Sequence, residues 1–309
     1  MAILEVEGLR KEYGNFVAVE GSSFSIDRGE VFGVVGPNGA GKTTTLKMLA
    51  GLVEPTGGTA RVAGYEPGEP AMQRRLGFLP EESPLYEEMT ARSYLRFFAD
   101  LYGVPREVAD ERIERTLDRL DLEHRDRRLG NVSKGMKRKV AITRALVNDP
   151  DVLIFDEPAS GLDPLTTNYI IEFTRELSEE GKTIVFSAHN LFHVESICDR
   201  IAVMNEGRII ARGSVEEIRE AHGGTVYYVY ATVEGSHGLE AVETADSPVT
   251  VSRENGHVEH VVEEMAHVEA IREAVEAADG RITDIQTETP TLEEIFLELA
   301  SDSPEEAEA

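Results

Sequence analysis

GPNGAGKTT, residues 36–44, is the stretch on which the reading of this chain turns. It follows the apolar run EVFGVV (residues 30–35) and opens TTTLKMLAGL (residues 43–52), whose apolar spacing is helical. Strand, glycine-rich turn and helix in that order give the spacing G-x-x-x-x-G-K-[ST] its meaning. Gly36, Gly39 and Gly41 let the backbone curl so that N–H groups surround phosphate oxygens at a helix N-terminus. The loop Gly36, Pro37, Asn38, Gly39, Ala40, Gly41, Lys42, Thr43 and Thr44 is therefore the expected contact for a nucleotide's phosphates. Lys42 should reach the β- and γ-phosphates, and the Thr43 hydroxyl should ligate Mg²⁺.

DVLIFDEP (residues 151–158) is a second apolar strand, and it ends in two carboxylates. An acid at the carboxyl end of a strand beside a bound nucleotide can hold Mg²⁺ through its water shell, which is the role expected of Asp156. A carboxylate immediately after it can orient or deprotonate an attacking water, which makes Glu157 the candidate general base. In isolation the pair could be an exposed acidic turn. The glycine loop is what makes it half of a site.

Residues 1–222 alternate apolar strands with helical patterns, as an α/β domain around a largely parallel sheet does. EVFGVVG, DVLIFDE and TIVFSAH are continuous apolar runs, suited to strands buried on both faces. Between about residues 83 and 150 the pattern becomes mainly helical, with three- and four-residue apolar spacing in ARSYLRFFADLYGV and ERIERTLDRLDL. That stretch reads as a helical insertion between strands. AHGGT (residues 221–225) marks the expected boundary. Beyond it, residues 223–300 read as a small α+β domain: TVYYVYATVEG, HVEHVVEE and RITDIQTETP as strands, HVEAIREAVEAADG as an amphipathic helix ending at Gly280, and TLEEIFLEL as a helix capped by Thr291. This region carries no chemical motif. Residues 301–309, SDSPEEAEA, have the composition of a disordered acidic tail.

The 309 residues carry 58 acidic and 31 basic side chains, a formal charge of -27, which argues against a basic nucleic-acid footprint. An acidic excess combined with scarce lysine is expected of adaptation to molar salt, where screening shortens to ~3 Å; an acidic protein of ordinary salt is the alternative. One cysteine, Cys198, excludes an internal disulfide and fits a reducing compartment. No apolar run approaches the ~18 residues of a membrane span, and the first residues lack a secretory core. A cytoplasmic protein is expected.

NVSKGMKRKVAITRAL (residues 131–146) is the exception to this acidity. Lys134, Lys137, Arg138, Lys139 and Arg144 crowd one helix that Ser133 should cap. Cations in a first turn oppose the helix dipole unless an anion sits there.

Together these stretches resemble the ATP-binding subunits of ABC transporters, through residues 1 to about 220. VSKGM (residues 132–136) is similar to the family signature LSGGQ: Ser133 and Gly135 match, Lys134 and Met136 do not. In that family two ATPase domains pair head to tail, and the signature helix of one caps ATP held by the other. The resemblance thus implies the γ-phosphate across a dimer interface as the missing anion. Lys137, Arg138 and Lys139 could share that field, meet an acidic partner or form a solvated face. Tyr13 in LRKEYGN matches the residue that stacks on adenine, with a strand-edge tyrosine as the plain alternative. Asp163 in SGLDP matches the loop that communicates with the opposite site, and His189 in SAHN matches the histidine that contacts γ-phosphate. His193, four residues on, suggests zinc, but no third ligand is evident and packing or surface is expected. Glu81 in LGFLPE departs from the family's glutamine; it still offers oxygen to Mg²⁺ while adding charge near the phosphates.

The resemblance implies a P-loop NTPase (RecA-like) α/β core with an antiparallel β subdomain and a helical subdomain. It implies ATP and Mg²⁺ as ligands, a homodimer or heterodimer, and a separate membrane permease energised by hydrolysis. PEE before a Leu-Tyr pair, SKGM, and the ending TLEEIFLEL are similar to exporter-type subunits with a small C-terminal domain. The rival is a related ATPase with a regulatory, DNA- or ribosome-associated role. The chain has a single ATPase half and no sustained heptads, unlike most of those.

Overall fold

The computed structural model describes residues 2–188, 190–222, 224–232, 251–254, 257–262 and 264–301. By internal contacts the chain divides into two units, Met1–Val215 and the residues from Glu216 onward.

The first unit is built on a six-stranded sheet. Its strands are β3 (Val31–Val35), β5 (Leu76–Leu79), β6 (Val152–Asp156), β7 (Thr183–Ala188), β8 (Arg200–Asn205) and β9 (Arg208–Gly213), in the order β5-β6-β7-β3-β8-β9. The first five run parallel, and β9 closes the edge antiparallel to β8. Every residue of β3, β6 and β7 is buried, so their runs of Val, Ile and Phe satisfy both faces of the sheet. A three-stranded antiparallel sheet, β1 (Ala2–Tyr13), β2 (Phe16–Asp27) and β4 (Gly57–Val62), packs beside it. Leu4, Leu9 and Ile26 of that sheet share one core with Phe32 and Val34 of β3 and with Leu46, Met48 and Leu49 of helix α1 (Lys42–Leu49). The phosphate loop therefore leads into a helix held from two sides.

After the short helix α2 (Pro70–Gln73), the stretch expected to be helical contains α3 (Ala91–Leu101), α4 (Arg106–Arg119) and α5 (Lys134–Leu146). They enclose a separate core of Tyr94, Leu95, Ile113, Leu117, Leu129 and Val140. Ser133 caps α5 as expected: its hydroxyl accepts from the Met136 N–H at 3.2 Å. Helices α6 (Pro164–Glu179) and α7 (Leu191–Ile197) follow β6 and β7.

The second unit has a four-stranded antiparallel sheet of β10 (Val226–Thr232), β11 (Val251–Glu254), β12 (His257–Val262) and β13 (Arg281–Glu288), ordered β11-β12-β10-β13. Helix Met265–Ala277 lays Val268, Ile271 and Val275 on Val229, Ala231 and Val262. The Gly280 N–H donates to the Val275 carbonyl at 2.9 Å just past its end. Thr291 caps the last helix (Leu292–Ser301) reciprocally: its N–H donates to the Glu294 carboxylate at 2.8 Å, and the Glu294 N–H donates to the Thr291 hydroxyl at 3.2 Å. The contact division falls seven residues before the sequence-expected break, because helix α8 (Val215–His222) almost wholly belongs to the second unit. AHGGT marks where that helix ends, not where the first unit does. The tail, residues 302–309, lies outside the described residues.

Candidate active site

Two glycines in the loop after β3 have no substitute. Gly36 has φ 149°, and a Cβ there would stand 2.1 Å from the Met204 carbonyl oxygen. Gly41, at the N-cap of α1, has φ 99°, and its Cβ would meet the Ala18 carbonyl oxygen at 2.5 Å. Only a residue without a side chain closes the loop this tightly. No side-chain hydrogen bond caps α1, which leaves the N–H groups of its first turn to a ligand or solvent.

A cleft of about 520 Å³ opens over this turn, lined by Asn38–Thr44, Phe16, Ala18, Glu81, Glu157 and Ser160. Lys42 is buried beneath it; its ammonium donates to the carbonyls of Gly36 (2.8 Å) and Pro37 (3.1 Å) and lies 3.7 Å from a Glu157 carboxylate oxygen. The Thr43 hydroxyl donates to Asp156 Oδ1 at 3.2 Å, and the Ser187 hydroxyl donates to the same oxygen at 2.8 Å. Asp156 is fully buried and its Oδ2 has no hydrogen-bond partner among the described residues. Burial pushes its pKa upward, against the pull of the Ser187 and Thr43 hydrogen bonds. A buried carboxylate with one orphan oxygen, next to a threonine hydroxyl, is a donor set that suits a hard divalent cation.

Glu157 follows with φ 48°, an unusual conformation for a residue with a side chain. Its N–H donates to the Ser187 hydroxyl at 2.9 Å. Ser187 thus serves both acids of the DE pair, and reading the sequence missed it. Its signal was a hydroxyl inside the otherwise apolar run IVFSA (residues 184–188). Phe16 was missed too: it is 63% exposed and lines the cleft, whereas Tyr13, half exposed beneath the Lys11 ammonium at 5.0 Å, does not.

Of the remaining expected residues, Ser133, Gly135 and Asp163 do not line that cleft. Gly135 packs against Thr166, where an added Cβ would sit 3.1 Å from the threonine side chain. Thr166 is in turn held by Asp163, whose carboxylate accepts its N–H at 3.0 Å and its hydroxyl at 2.7 Å. These bonds from Thr166 hold the Asp163 carboxyl below the usual range. The fold therefore brings the signature and the SGLDP loop together within one chain. His189 lies outside the described residues. His193 lines a second cavity of about 380 Å³ with Glu157, Ser187 and Asn168.

The basic segment divides in a way its sequence left open. Lys134 is exposed and its ammonium lies over Gly161, within 2.3 Å of where a Cβ would project. Lys137 pairs with Glu87 at 3.0 Å. Arg138 and Lys139 are buried, so they form no solvated face. The Lys139 ammonium donates to the Asp121 carbonyl and lies 5.0 Å from the Tyr169 ring centre. Arg138 gives all its bonds to main-chain carbonyls, and burial brings its pKa down to about 10.

A strand–loop–helix phosphate cradle beside a buried Asp-Glu pair at the end of a parallel strand defines a P-loop nucleotide-hydrolysing protein. The family description "ABC transporter" matches residues 19–160, and "ATP-binding protein DrrA1-3-like, C-terminal domain" matches residues 213–300. The linearmycin resistance ATP-binding protein LnrL of Bacillus subtilis is 33% identical over 305 residues, covering 96% of this chain and 98% of that one. The ABC transporter ATP-binding protein NatA of the same organism is 43% identical over 208 residues, 66% of this chain and 85% of the relative. Among solved structures, an ATP-binding subunit of an ABC transporter superposes with TM-score 0.66 at 37% identity, over 72% of this chain and 93% of that one. The chain belongs to the ATP-binding subunits of ABC transporters, and it is an ATPase.

Proposed function

We propose that this subunit hydrolyses ATP in head-to-tail pairs and thereby drives a separate membrane permease in export. The observation that carries the reading is the convergence of Lys42, Thr43 and Glu157 on one cleft, with Asp156 buried behind Thr43 and one of its carboxylate oxygens unpartnered among the described residues. Lys42 and the loop from Gly36 to Thr44 would hold the β- and γ-phosphates, and Phe16, which lines the cleft, would stack on the adenine in place of the expected Tyr13. Thr43, Asp156 and Glu81 would hold Mg²⁺, which neutralises phosphate charge when bound. Glu157 would take the proton of the attacking water, with His189 positioning that water against the γ-phosphate. Ser133 and Gly135 would cap ATP bound to the other subunit, and Asp163 would communicate between the two sites.

Export is favoured by the relatives over whose length the chain extends. LnrL is named for resistance to linearmycin, and a Ralstonia nicotianae relative 42% identical over 219 residues is named a Nod factor export ATP-binding protein. No helix among the described residues is long and apolar enough to cross a membrane, so the span would belong to a partner. The subunit would work at the cytoplasmic face through that partner. Affinity purification from detergent-solubilised membranes tests this. A multi-span protein should co-purify in stoichiometric amount, and its ATPase stimulation should need that protein. Recovery of the subunit with ribosomes or DNA and without a membrane protein would overturn the reading.

A further inference from the structure

Arg138, one turn into α5, meets two separate segments of the chain, residues 80–81 and 156–158. Its Nε donates to the Pro158 carbonyl at 2.7 Å. Nη1 donates to the carbonyls of Pro80 (2.7 Å) and Glu81 (2.9 Å), and Nη2 to those of Asp156 (3.0 Å) and Glu157 (2.5 Å). A guanidinium has five N–H donors, and here five main-chain carbonyls take them. We infer that Arg138 is a positioning residue of the ATPase reaction, tying the helix that carries Ser133 and Gly135 to the turns that carry Glu157 and Glu81. The inference rests on the reading of Glu157 as the group that activates water.

Every acceptor is backbone and none is a carboxylate. The guanidinium fixes the path of the chain at Asp156–Pro158 without occupying the Asp156 and Glu157 carboxyl oxygens, which the chemistry needs. At Glu157 the effect is specific. Its left-handed φ is held on one side by the Ser187 hydroxyl, which accepts the Glu157 N–H, and on the other by Arg138 at the carbonyl. Without that grip φ can relax to its ordinary region, which swings Cβ and displaces the carboxylate. A displacement of ~1 Å in a catalytic group can cost on the order of 100-fold in rate.

The same helix touches the SGLDP loop through Lys134 over Gly161 and Gly135 against Thr166. A shift of α5 when its N-terminus meets the other subunit's nucleotide would therefore be transmitted to Glu157 and Glu81 together. Lysine cannot replace arginine here. Its donors radiate from one atom and cannot reach five oxygens on two segments.

The test compares full-length wild type with Arg138→Lys, Arg138→Gln, Glu157→Gln and the two double variants. It measures kcat and KM for ATP, binding of a fluorescent ATP analogue, single-turnover hydrolysis of labelled ATP, and melting. Both Arg138 variants should lower kcat at least ~10-fold while KM and analogue binding stay within about 3-fold. In the Glu157→Gln background, either Arg138 change should alter the residual single-turnover rate by less than about 2-fold, because both changes remove one function. Wild-type kcat in Arg138→Lys would overturn the inference. So would a multiplicative loss in the double variants, or melting of both Arg138 variants below assay temperature, since each marks a scaffold role. Wild-type turnover in Glu157→Gln would sink the reading of Glu157 itself, and this inference with it. Normal Arg138 variants beside an inactive Glu157→Gln would sink this inference alone.

Discussion

Helices α1 and α5 both begin with a small polar or glycine residue followed by a lysine, yet they present opposite N-termini. At α1 the preceding residue is left-handed Gly41, no side chain caps the turn, and Lys42 is buried against its own loop. At α5 the cap is Ser133 in extended conformation, its hydroxyl already engaged by Met136 N–H, and Lys134 lies exposed over Gly161. The first terminus is completed only by a ligand, and it belongs to the chain's own cleft. The second is closed by its own serine, and neither Ser133 nor Lys134 lines that cleft. Two similar stretches of sequence thus serve one nucleotide in cis and, on our reading, another in trans.

The sharpest way to break this comparison is at Lys42. Removing a buried charge beside Glu157 should weaken ATP binding by at least ~30-fold in Lys42→Ala, the lower end of the range for truncating such a pair. Equilibrium binding of a fluorescent ATP analogue reads this directly. Affinity within a few-fold of wild type would mean that the loop does not hold the phosphates.

At α5 a smaller and differently directed effect is expected. Lys134→Glu should leave binding to the isolated subunit unchanged but weaken ATP-driven dimerisation by ~10-fold at low salt, more than Lys134→Ala does. Raising KCl should shrink the difference, since the charge is exposed and screening falls to ~8 Å at physiological strength. Sedimentation in the Glu157→Gln background measures it. Equal dimerisation of all three at low salt would leave Lys134 a surface residue of α5. The same KCl series reads the acidic surface: a melting temperature that climbs toward molar salt supports adaptation, and one that is flat or falling opposes it.

What could be read in the sequence follows from how local each feature is. The turn from Gly36 to Thr44 was legible because phosphate recognition constrains consecutive residues, and the strands β3, β6 and β7 because burial on both faces leaves an unbroken apolar run. Asp156 and Glu157 were legible as a pair only beside that loop. Arg138 was not legible beyond its charge: its five acceptors lie at residues 80–81 and 156–158, and only the folded chain brings them to residue 138. Ser187 was hidden for the same reason, thirty residues from the acids it serves. In the second unit, apolar alternation sufficed for β10, β12 and β13. The short strand β11 carries four residues and too little pattern to find.

On our reading, this chain cleaves ATP in the cleft over α1, with Glu157 activating the water. Glu157→Gln keeps the shape of the side chain and removes its basicity. Steady-state turnover should fall at least ~100-fold, within the usual range for loss of a general base, while the affinity for ATP stays within a few-fold of wild type. ATP should then hold the variant as a stable dimer in light scattering. Turnover at the wild-type rate would contradict the account at its centre.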